Sequence, residues 1–198
     1  MTVAEIRTLL ARAYVEDPLL VWVFPDEQDR QEATAAWLGV SVERYVDAGE
    51  VDVVRAPDLA AVALWRLPST ALPGPAGLLP TAGGLLRAFV GAARAAEIAE
   101  GFAATRAQSP ADDVPAAYLH FLAVDPEARR RGLGGRLLDG VLARARAEGL
   151  PLRLDTTNPD NLPFYEAHGL RVLSEARLGP SGPLMWAMGS DAAGAARS

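Results

Sequence analysis

Residues 118–138 of this 198-residue chain have the sequence YLHFLAVDPEARRRGLGGRLL. The apolar opening predicts a buried strand, an aspartate-proline pair ends it, and the leucines that follow recur at helical spacing. Between strand and helix lies Arg129-x-x-Gly132-x-Gly134, where glycine permits a tight turn and leaves backbone N–H groups uncovered. The helix beginning near Gly134 points the positive end of its dipole at the same place. The turn therefore predicts a cradle for a diphosphate.

Two other glycine-rich phosphate loops fit this turn poorly. A Walker loop needs a lysine, and all 19 basic residues of the chain are arginine. A dinucleotide fingerprint needs a third glycine where Leu137 stands, and an acidic residue about twenty positions later at the end of a second strand. Arg129, Arg130 and Arg131 place positive charge beside the turn in a chain of net charge -6, so we expect an anionic ligand.

The remaining pattern, Arg-x-x-Gly-x-Gly after AVDPEA and before a leucine-rich helix, resembles the GCN5-related N-acetyltransferases (GNAT family). The resemblance implies an α/β fold with a mixed, mainly antiparallel sheet flanked by helices, in which two central parallel strands splay apart. It also implies acetyl-coenzyme A as cosubstrate, held between those strands. The contacts implied for the cofactor are at Leu122, Ala123, Val124, Arg129, Arg130, Arg131, Gly132, Leu133, Gly134, Gly135, Asn158 and Tyr165.

A second motif, TNPDNLPFYEAHGL at residues 157–170, resembles the family's N-x(6)-Y-x-x-x-G-F segment, with Leu170 in place of phenylalanine. Its Phe-Tyr-Glu run is most similar to small-amine acetyltransferases related to puromycin N-acetyltransferase. Asn158 has an amide that can bond to the pantetheine arm, but an asparagine here can equally cap a turn or a helix. Tyr165 is the candidate general acid that protonates the leaving thiolate; the alternative is a packed aromatic side chain.

The general base is less well defined by the sequence. Strand alternation predicts Tyr118, His120, Leu122 and Val124 on one face, which directs His120 towards the acceptor. We expect either a base or a hydrogen-bonded strand histidine there. Asp155 and Glu166 are further carboxylates nearby, and neither has a distinctive spacing.

Aromatic and acidic residues of the N-terminal half are candidates for the acceptor pocket. Trp22, Phe24 and Trp65 could stack on a substrate, although such residues are more often core. Asp17 and Asp26 could attract a cation, although surface solvation is the commoner role.

Composition narrows the function classes. The chain has no cysteine and two histidines, which argues against disulfides, thiolate chemistry and a metal cluster. Its acidic balance argues against nucleic-acid partners and suits a cationic amine. No leader opens the chain and no apolar run approaches the roughly 18 residues that span a bilayer, so we expect a cytoplasmic protein without membrane contact. The abundance of Arg, Ala, Gly and Pro suggests a bacterial source.

The chain is expected to form a single N-acetyltransferase domain over residues 1–188, with an acetyl-coenzyme A core at 117–188 and a disordered tail at 189–198. Helices are expected at 3–16, 29–48, 85–105, near 134–145 and at 162–167. Strands are expected at 51–55, 60–66, 118–124, 152–157, 171–178 and 184–188, with loops at 67–84 and 108–115. The family's first strand is expected to be missing, replaced or very short.

The predicted reaction is direct acetyl transfer to a primary amine of a small molecule in a ternary complex, with backbone N–H groups near Leu122 to Val124 polarising the thioester. Two alternatives remain. One is a noncatalytic acyl-coenzyme A-binding sensor or regulatory module. The other is acetylation of a protein N-terminus or lysine, which a 67–84 loop covering the site would disfavour. The acceptor's identity, and the choice between monomer and homodimer, are not predicted.

Overall fold

The computed structural model describes residues 2–48, 50–73, 80–108 and 114–191. Its helices are α1 (Val3–Tyr14), α2 (Pro18–Val23), α3 (Arg30–Ala48), α4 (Ala82–Val90), α5 (Ala92–Gln108), α6 (Leu133–Ala147) and α7 (Leu162–Ala167). Its strands are β1 (Val51–Arg55), β2 (Leu59–Arg66), β3 (Ala117–Val124), β4 (Leu152–Thr156), β5 (Arg171–Arg177) and β6 (Leu184–Gly189). Short 3₁₀ turns at Pro126–Ala128 and Pro159–Asn161 precede α6 and α7.

The strands form one sheet in the order β1-β2-β3-β4-β6-β5. Strands β3 and β4 are parallel and the other neighbouring pairs are antiparallel. The β3–β4 pairing ends at Leu119 and Leu154, although β3 continues to Val124. The two strands therefore diverge, and the predicted mixed sheet with splayed central parallel strands is confirmed.

Helices cover both faces of this sheet. Helices α1 and α3 pack through Ile6, Leu10 and Val42 on one face, and α6 packs through Leu138 and Val141 on the other. Helices α2, α4 and α5 form a third apolar cluster with Leu178. This arrangement fixes α1, α6 and α7 around the opening between β3 and β4. None of the helices in the described part of the chain is both long and apolar enough to cross a membrane.

Helix boundaries differ from the sequence predictions in three places. We expected Asp17-Pro18 only to end α1, but Asp17 also caps α2 by accepting a hydrogen bond from the Leu19 N–H, with Pro18 in the first helical position. The single helix expected at 85–105 is two helices, because Gly91 adopts a φ of 79° between them. Helix α4 also starts earlier than expected, at Ala82 after its cap Thr81.

The ends of the chain match the predictions in part. No strand precedes α1 among residues 2–48, and β1 is an edge strand. The disordered tail was expected from Gly189, but Gly189 belongs to β6 and the Ser190 hydroxyl accepts a hydrogen bond from the Leu152 N–H. The rest of that tail, residues 192–198, lies outside the described residues, as do 74–79 and 109–113 of the two expected loops.

A bulge in β3 overturns the predicted alternation. Leu64 pairs with Phe121, but Trp65 pairs with Leu119, so His120 is an extra residue in β3. Beyond the bulge, Leu122 and Val124 pack on the same core as Leu119. The expected grouping of Tyr118 and His120 with Leu122 and Val124 is therefore wrong.

Candidate active site

The glycine turn forms the N-terminus of α6. Gly132 precedes the helix with a φ of 73°, and Arg130 also has a positive φ, of 61°. The first N–H groups of an α-helix have no intrahelical acceptor, and no side chain caps α6. A Cβ on Gly134 would lie 3.4 Å from Val124 and 3.7 Å from Phe164, so the bare backbone stands at the cleft wall. These features together can bind a diphosphate.

A cleft of about 560 Å³ runs from this turn between the diverging strands. Eleven of the twelve predicted cofactor residues line it: Leu122, Ala123, Val124, Arg129, Arg130, Gly132, Leu133, Gly134, Gly135, Asn158 and Tyr165. The exception is Arg131, whose guanidinium donates to the Glu127 carbonyl at 3.4 Å. The Arg129 guanidinium bonds the Ala13 carbonyl at 3.0 Å and so ties the turn to α1. We call this cavity the cofactor cleft.

Asn158 has the capping role that was one of its two predicted alternatives. Its side-chain oxygen accepts a hydrogen bond from the Asp160 N–H at 3.0 Å. Because that oxygen is engaged, its NH₂ group is the part of the amide left to donate to a ligand in the cofactor cleft.

A second cleft of about 1090 Å³ lies beyond the splay. It is bordered by β2, β3, β4, α3 and residues Pro68, Thr70 and Leu72 after β2. We call it the acceptor cleft. Five residues line both clefts: Tyr14, Asp17, Leu122, Asn161 and Tyr165. We call this set the junction.

Tyr14 and Leu122 make a tight pair at the junction. The Tyr14 hydroxyl donates to the Leu122 carbonyl at 2.9 Å and accepts from the Leu122 N–H at 3.2 Å. Burial raises the pKa of Tyr14 well above its usual range, so this phenol stays protonated at neutral pH. The Leu122 N–H, one of the amides expected to polarise a thioester, is therefore occupied by a side chain from α1.

Tyr165 and Asp17 complete the junction. Tyr165 is 8% exposed, and its hydroxyl has no hydrogen-bond partner within the described part of the chain. Burial, with a smaller contribution from the charge of Asp17, raises the pKa of Tyr165 far above its ordinary value. Asp17 accepts hydrogen bonds from the Thr157 hydroxyl at 2.8 Å and the Leu19 N–H. Burial raises the pKa of Asp17. A protonated phenol thus lies beside a carboxylate where the two clefts meet.

His120 lines the acceptor cleft but not the cofactor cleft. Its Nδ1 is 3.2 Å from the Tyr45 hydroxyl. His120 is exposed to the acceptor cleft, and desolvation by the surrounding cleft walls, together with the positive charges of Arg66 and Arg44, lowers the pKa of His120 to about 4. The imidazole is therefore neutral at neutral pH and can accept a proton, but it is a weak base.

Of the other candidate residues, one lines the acceptor cleft and three are buried in the core. Asp155 lines the acceptor cleft and accepts from the Tyr118 hydroxyl at 2.8 Å. Trp22, Phe24 and Trp65 are buried in the core and do not line the acceptor cleft. Tyr14 and Asp17 were missed as a pair at the junction, because their periodicity and the Asp-Pro sequence indicate only helix packing and a helix boundary.

A sheet with splayed central parallel strands, flanked by helices and followed by a glycine turn at a helix N-terminus, matches the GNAT fold. Residues 84–170 match the family model described as Acetyltransferase (GNAT) family. The match spans 87 of the 198 residues, and together with the GNAT fold it makes this chain similar to the acetyltransferases of that family.

Solved structures with the same fold cover nearly the whole chain. A structure from Corynebacterium glutamicum, described as histone acetyltransferase HPA2 and related acetyltransferase, aligns with a TM-score of 0.68 and 23% identity. The alignment covers 96% of this chain and 91% of that one. The C-terminal condensation domain of Ebony, in complex with beta-alanyl-dopamine, aligns with a TM-score of 0.62 and 14% identity, over 95% of this chain and 93% of that one. A polyamine N-acetyltransferase of Drosophila melanogaster aligns with a TM-score of 0.54 and 20% identity, over 94% of this chain and 93% of that one. At these identities the likeness shows the fold alone.

Proposed function

We propose that the protein transfers the acetyl group of acetyl-coenzyme A to a primary amine of a small molecule, in a ternary complex. The observation that carries this proposal is the junction, where a cofactor cleft and an acceptor cleft share Tyr14, Leu122 and Tyr165. Both substrates can reach each other there without a covalent enzyme intermediate. Structural neighbours that act on agmatine and polyamines support an amine acceptor.

In the proposed reaction the amine nitrogen attacks the thioester carbonyl carbon, a C–N bond forms, and the C–S bond breaks. The thioester carbonyl is polarised by backbone N–H groups of β3 near Leu122 to Val124. The Leu122 N–H bonds the Tyr14 hydroxyl in this structure, so the thioester oxygen can use that N–H only by displacing the hydroxyl. Tyr165 gives its proton to the leaving thiolate. The incoming ammonium loses one proton before attack and the amide nitrogen loses another. One of these returns the phenol to its protonated form, and one is released to solvent.

His120 is the proposed base, and it acts through water because it does not line the cofactor cleft. The backbone of the glycine turn holds the diphosphate, and Arg129 and Arg130 offset its charge. The further likeness to puromycin N-acetyltransferase stays a prediction.

Two alternatives fit less well. A noncatalytic acyl-coenzyme A sensor needs no second cleft, yet the acceptor cleft is larger than the cofactor cleft. Acetylation of a protein terminus or lysine needs an open groove, whereas Pro68, Thr70 and Leu72 form part of the acceptor-cleft wall.

Thiol release from acetyl-coenzyme A across an amine panel tests the function, with Tyr165→Phe as the diagnostic variant. We expect wild-type turnover, and a kcat lower by about 10²- to 10⁴-fold in the variant, because general acid catalysis is worth about that much. Cofactor affinity measured by calorimetry should stay nearly the same. A wild-type protein that binds acetyl-coenzyme A but releases no thiol with any amine would be a sensor and not an enzyme.

A further inference from the structure

The charges of the acceptor cleft are separated along its length. Asp17 lies at the junction, where the amine must meet the thioester. Arg44 of α3 and Arg66 at the end of β2 line the cleft away from the junction. Arg66 pairs in register with Tyr118, four residues before Leu122 on β3, which corresponds to about 13 Å of extended strand.

Arg44 and Arg66 differ from several other arginines of the N-terminal half. Arg12, Arg55 and Arg94 each form an ion pair with a carboxylate. Arg44 and Arg66 have no acidic partner among the residues that the structure describes. Arg44 donates from Nε to the Pro73 carbonyl at 2.7 Å, and the Arg66 guanidinium lies 5.7 Å from the Tyr118 ring centroid. Both are half-buried, so their guanidinium groups lose part of their hydration with no counter-charge.

The two remaining arginines of the cleft are already engaged. Arg106 acts on the Asp155 carboxyl, and its charge opposes the rise that burial causes in the pKa of Asp155. Arg153 donates to the Leu152 and Ser190 carbonyls. Arg153 forms no ion pair in the described part of the chain, but the negative charge of Asp191 acts on it. At the end of the cleft formed by α3 and β2, the positive charge without a carboxylate partner is that of Arg44 and Arg66.

Tyr45, Tyr118 and His120 lie beside Arg44 and Arg66 and carry no negative charge, and the Asp155 carboxylate bonds the hydroxyl end of Tyr118. His120 is 3.2 Å from the Tyr45 hydroxyl, and the charges of both arginines act on both of these side chains. Planar guanidinium groups bind carboxylate and phosphate oxygens through paired N–H donors. We infer that Arg44 and Arg66 bind an oxyanion group of the acceptor, so that the substrate is an amine carrying a carboxylate or phosphate at its far end.

This inference rests on the proposed function and narrows its substrate class from amines in general to bipolar ones. The ammonium end is placed at Asp17 and the oxyanion end at Arg44 and Arg66. Simple polyamines, with a positive charge at each end, would meet like charge at the arginines and are disfavoured as acceptors.

The test compares ω-amino acids of graded chain length with their neutral primary amides, using thiol release from acetyl-coenzyme A. For the chain length that spans the cleft, we expect kcat/KM of the acid to exceed that of the amide by about 10- to 100-fold, which matches the usual strength of hydrogen bonds to a charged group. Aminoalkyl phosphates of the same length separate a phosphate site from a carboxylate site.

Arg44→Gln and Arg66→Gln should each lower this acid-to-amide ratio by about tenfold, mainly through KM. Arg66→Lys keeps the charge and should retain part of the ratio. Arg146→Gln, at an exposed position of α6 outside both clefts, is the matched control and should leave the ratio unchanged. Circular dichroism of each variant establishes that it is folded.

If the protein releases thiol with these amines but the acid-to-amide ratio of kcat/KM is near one, the inference is wrong and the proposed function is still supported. If no amine gives thiol release, the proposed function fails, and calorimetry of the coenzyme A-bound protein decides the inference alone. Acids that bind more tightly than amides, with a preference that Arg66→Gln removes, support the oxyanion site. Equal or undetectable binding of both overturns it.

Discussion

At the scale of single residues, the site depends on side chains whose environment shifts their protonation. His120 is the clearest case, because Tyr45, Tyr118, Arg44 and Arg66 surround it and none of them is a carboxylate. Its pKa of about 4 means that the imidazole is neutral above roughly pH 5 and gains a proton only as the pH falls through 4.

If His120 is the base, the acidic limb of kcat/KM, corrected for the fraction of free amine, should lie near pH 4 and not near the ordinary value of ~6.5. His120→Gln should remove that limb and much of the activity. Arg66→Gln should move it to higher pH, because loss of a neighbouring positive charge makes the imidazolium less unfavourable. Proton NMR of the two histidines follows His120 directly.

An unchanged acidic limb in an active His120→Gln variant would return His120 to a structural role. The base would then be sought at Asp17, which lines the junction, or at Asp155 in the acceptor cleft.

At the scale of elements, a substitution at the start of α6 should change the affinity for coenzyme A without lowering the stability of the fold. A Cβ at Gly134 would make only ordinary contacts with Val124 and Phe164, so we expect the fold to tolerate Gly134→Asp. A carboxylate at a helix N-terminus is favourable to the helix by about 0.3–1 kcal/mol, but it places negative charge where we propose that the diphosphate binds. We expect an unchanged or slightly higher Tm and affinity for coenzyme A lower by about 100-fold or more, since like charges in contact cost several kcal/mol.

Gly140→Asp is the matched control for this experiment. Gly140 lies in the same helix, and a Cβ there would meet nothing within 4 Å. Calorimetry should show normal coenzyme A binding by the control. Normal binding by a folded Gly134→Asp variant would exclude the turn as the diphosphate site.

The elements that could be predicted from the sequence are those with a complete local pattern. Strand β3, the glycine turn and α6 follow one another in the sequence, so their hydrophobic spacing and glycine motif identified them. Asn158 and Tyr165 lie seven positions apart within a single motif, which identified both. Helix α2 was missed because its six residues are too few for a periodic pattern and belong to no motif, whereas the equally short α7 lies within the motif that contains Tyr165. The β3 bulge could not be predicted, because it depends on register with β2.

The junction shows the same limit for the site. Tyr14 meets Leu122 across 108 positions of sequence, and Asp17 meets Thr157 across 140. Neither contact leaves a local signal, since each depends on how α1 packs across the sheet. The arginines of the acceptor cleft likewise come from α3 and β2, and their nearness to His120 follows only from the folded sheet.

At the scale of the whole molecule, the residues that line the cofactor cleft come from elements that pack in different hydrophobic cores. Residues of α1, β3, the glycine turn and α7 all line it, and α1 packs on one face of the sheet while α6 packs on the other. A ligand in this cleft therefore contacts elements from both faces, and it can bind only when the splayed sheet is folded. Binding of this kind stabilises the native state by mass action.

Coenzyme A at about 100 times its Kd should stabilise the fold by about 2.7 kcal/mol, which for a chain of this size raises Tm by about 5–10 °C. Differential scanning fluorimetry measures this shift, with Gly140→Asp expected to show it in full and Gly134→Asp to show almost none at the same concentration. Because Tyr165→Phe leaves the diphosphate contacts in place, its shift should match that of the wild type. A full shift in Gly134→Asp would mean that coenzyme A binds elsewhere, and the acceptor cleft, with its unpaired arginines, would then be the first place to look.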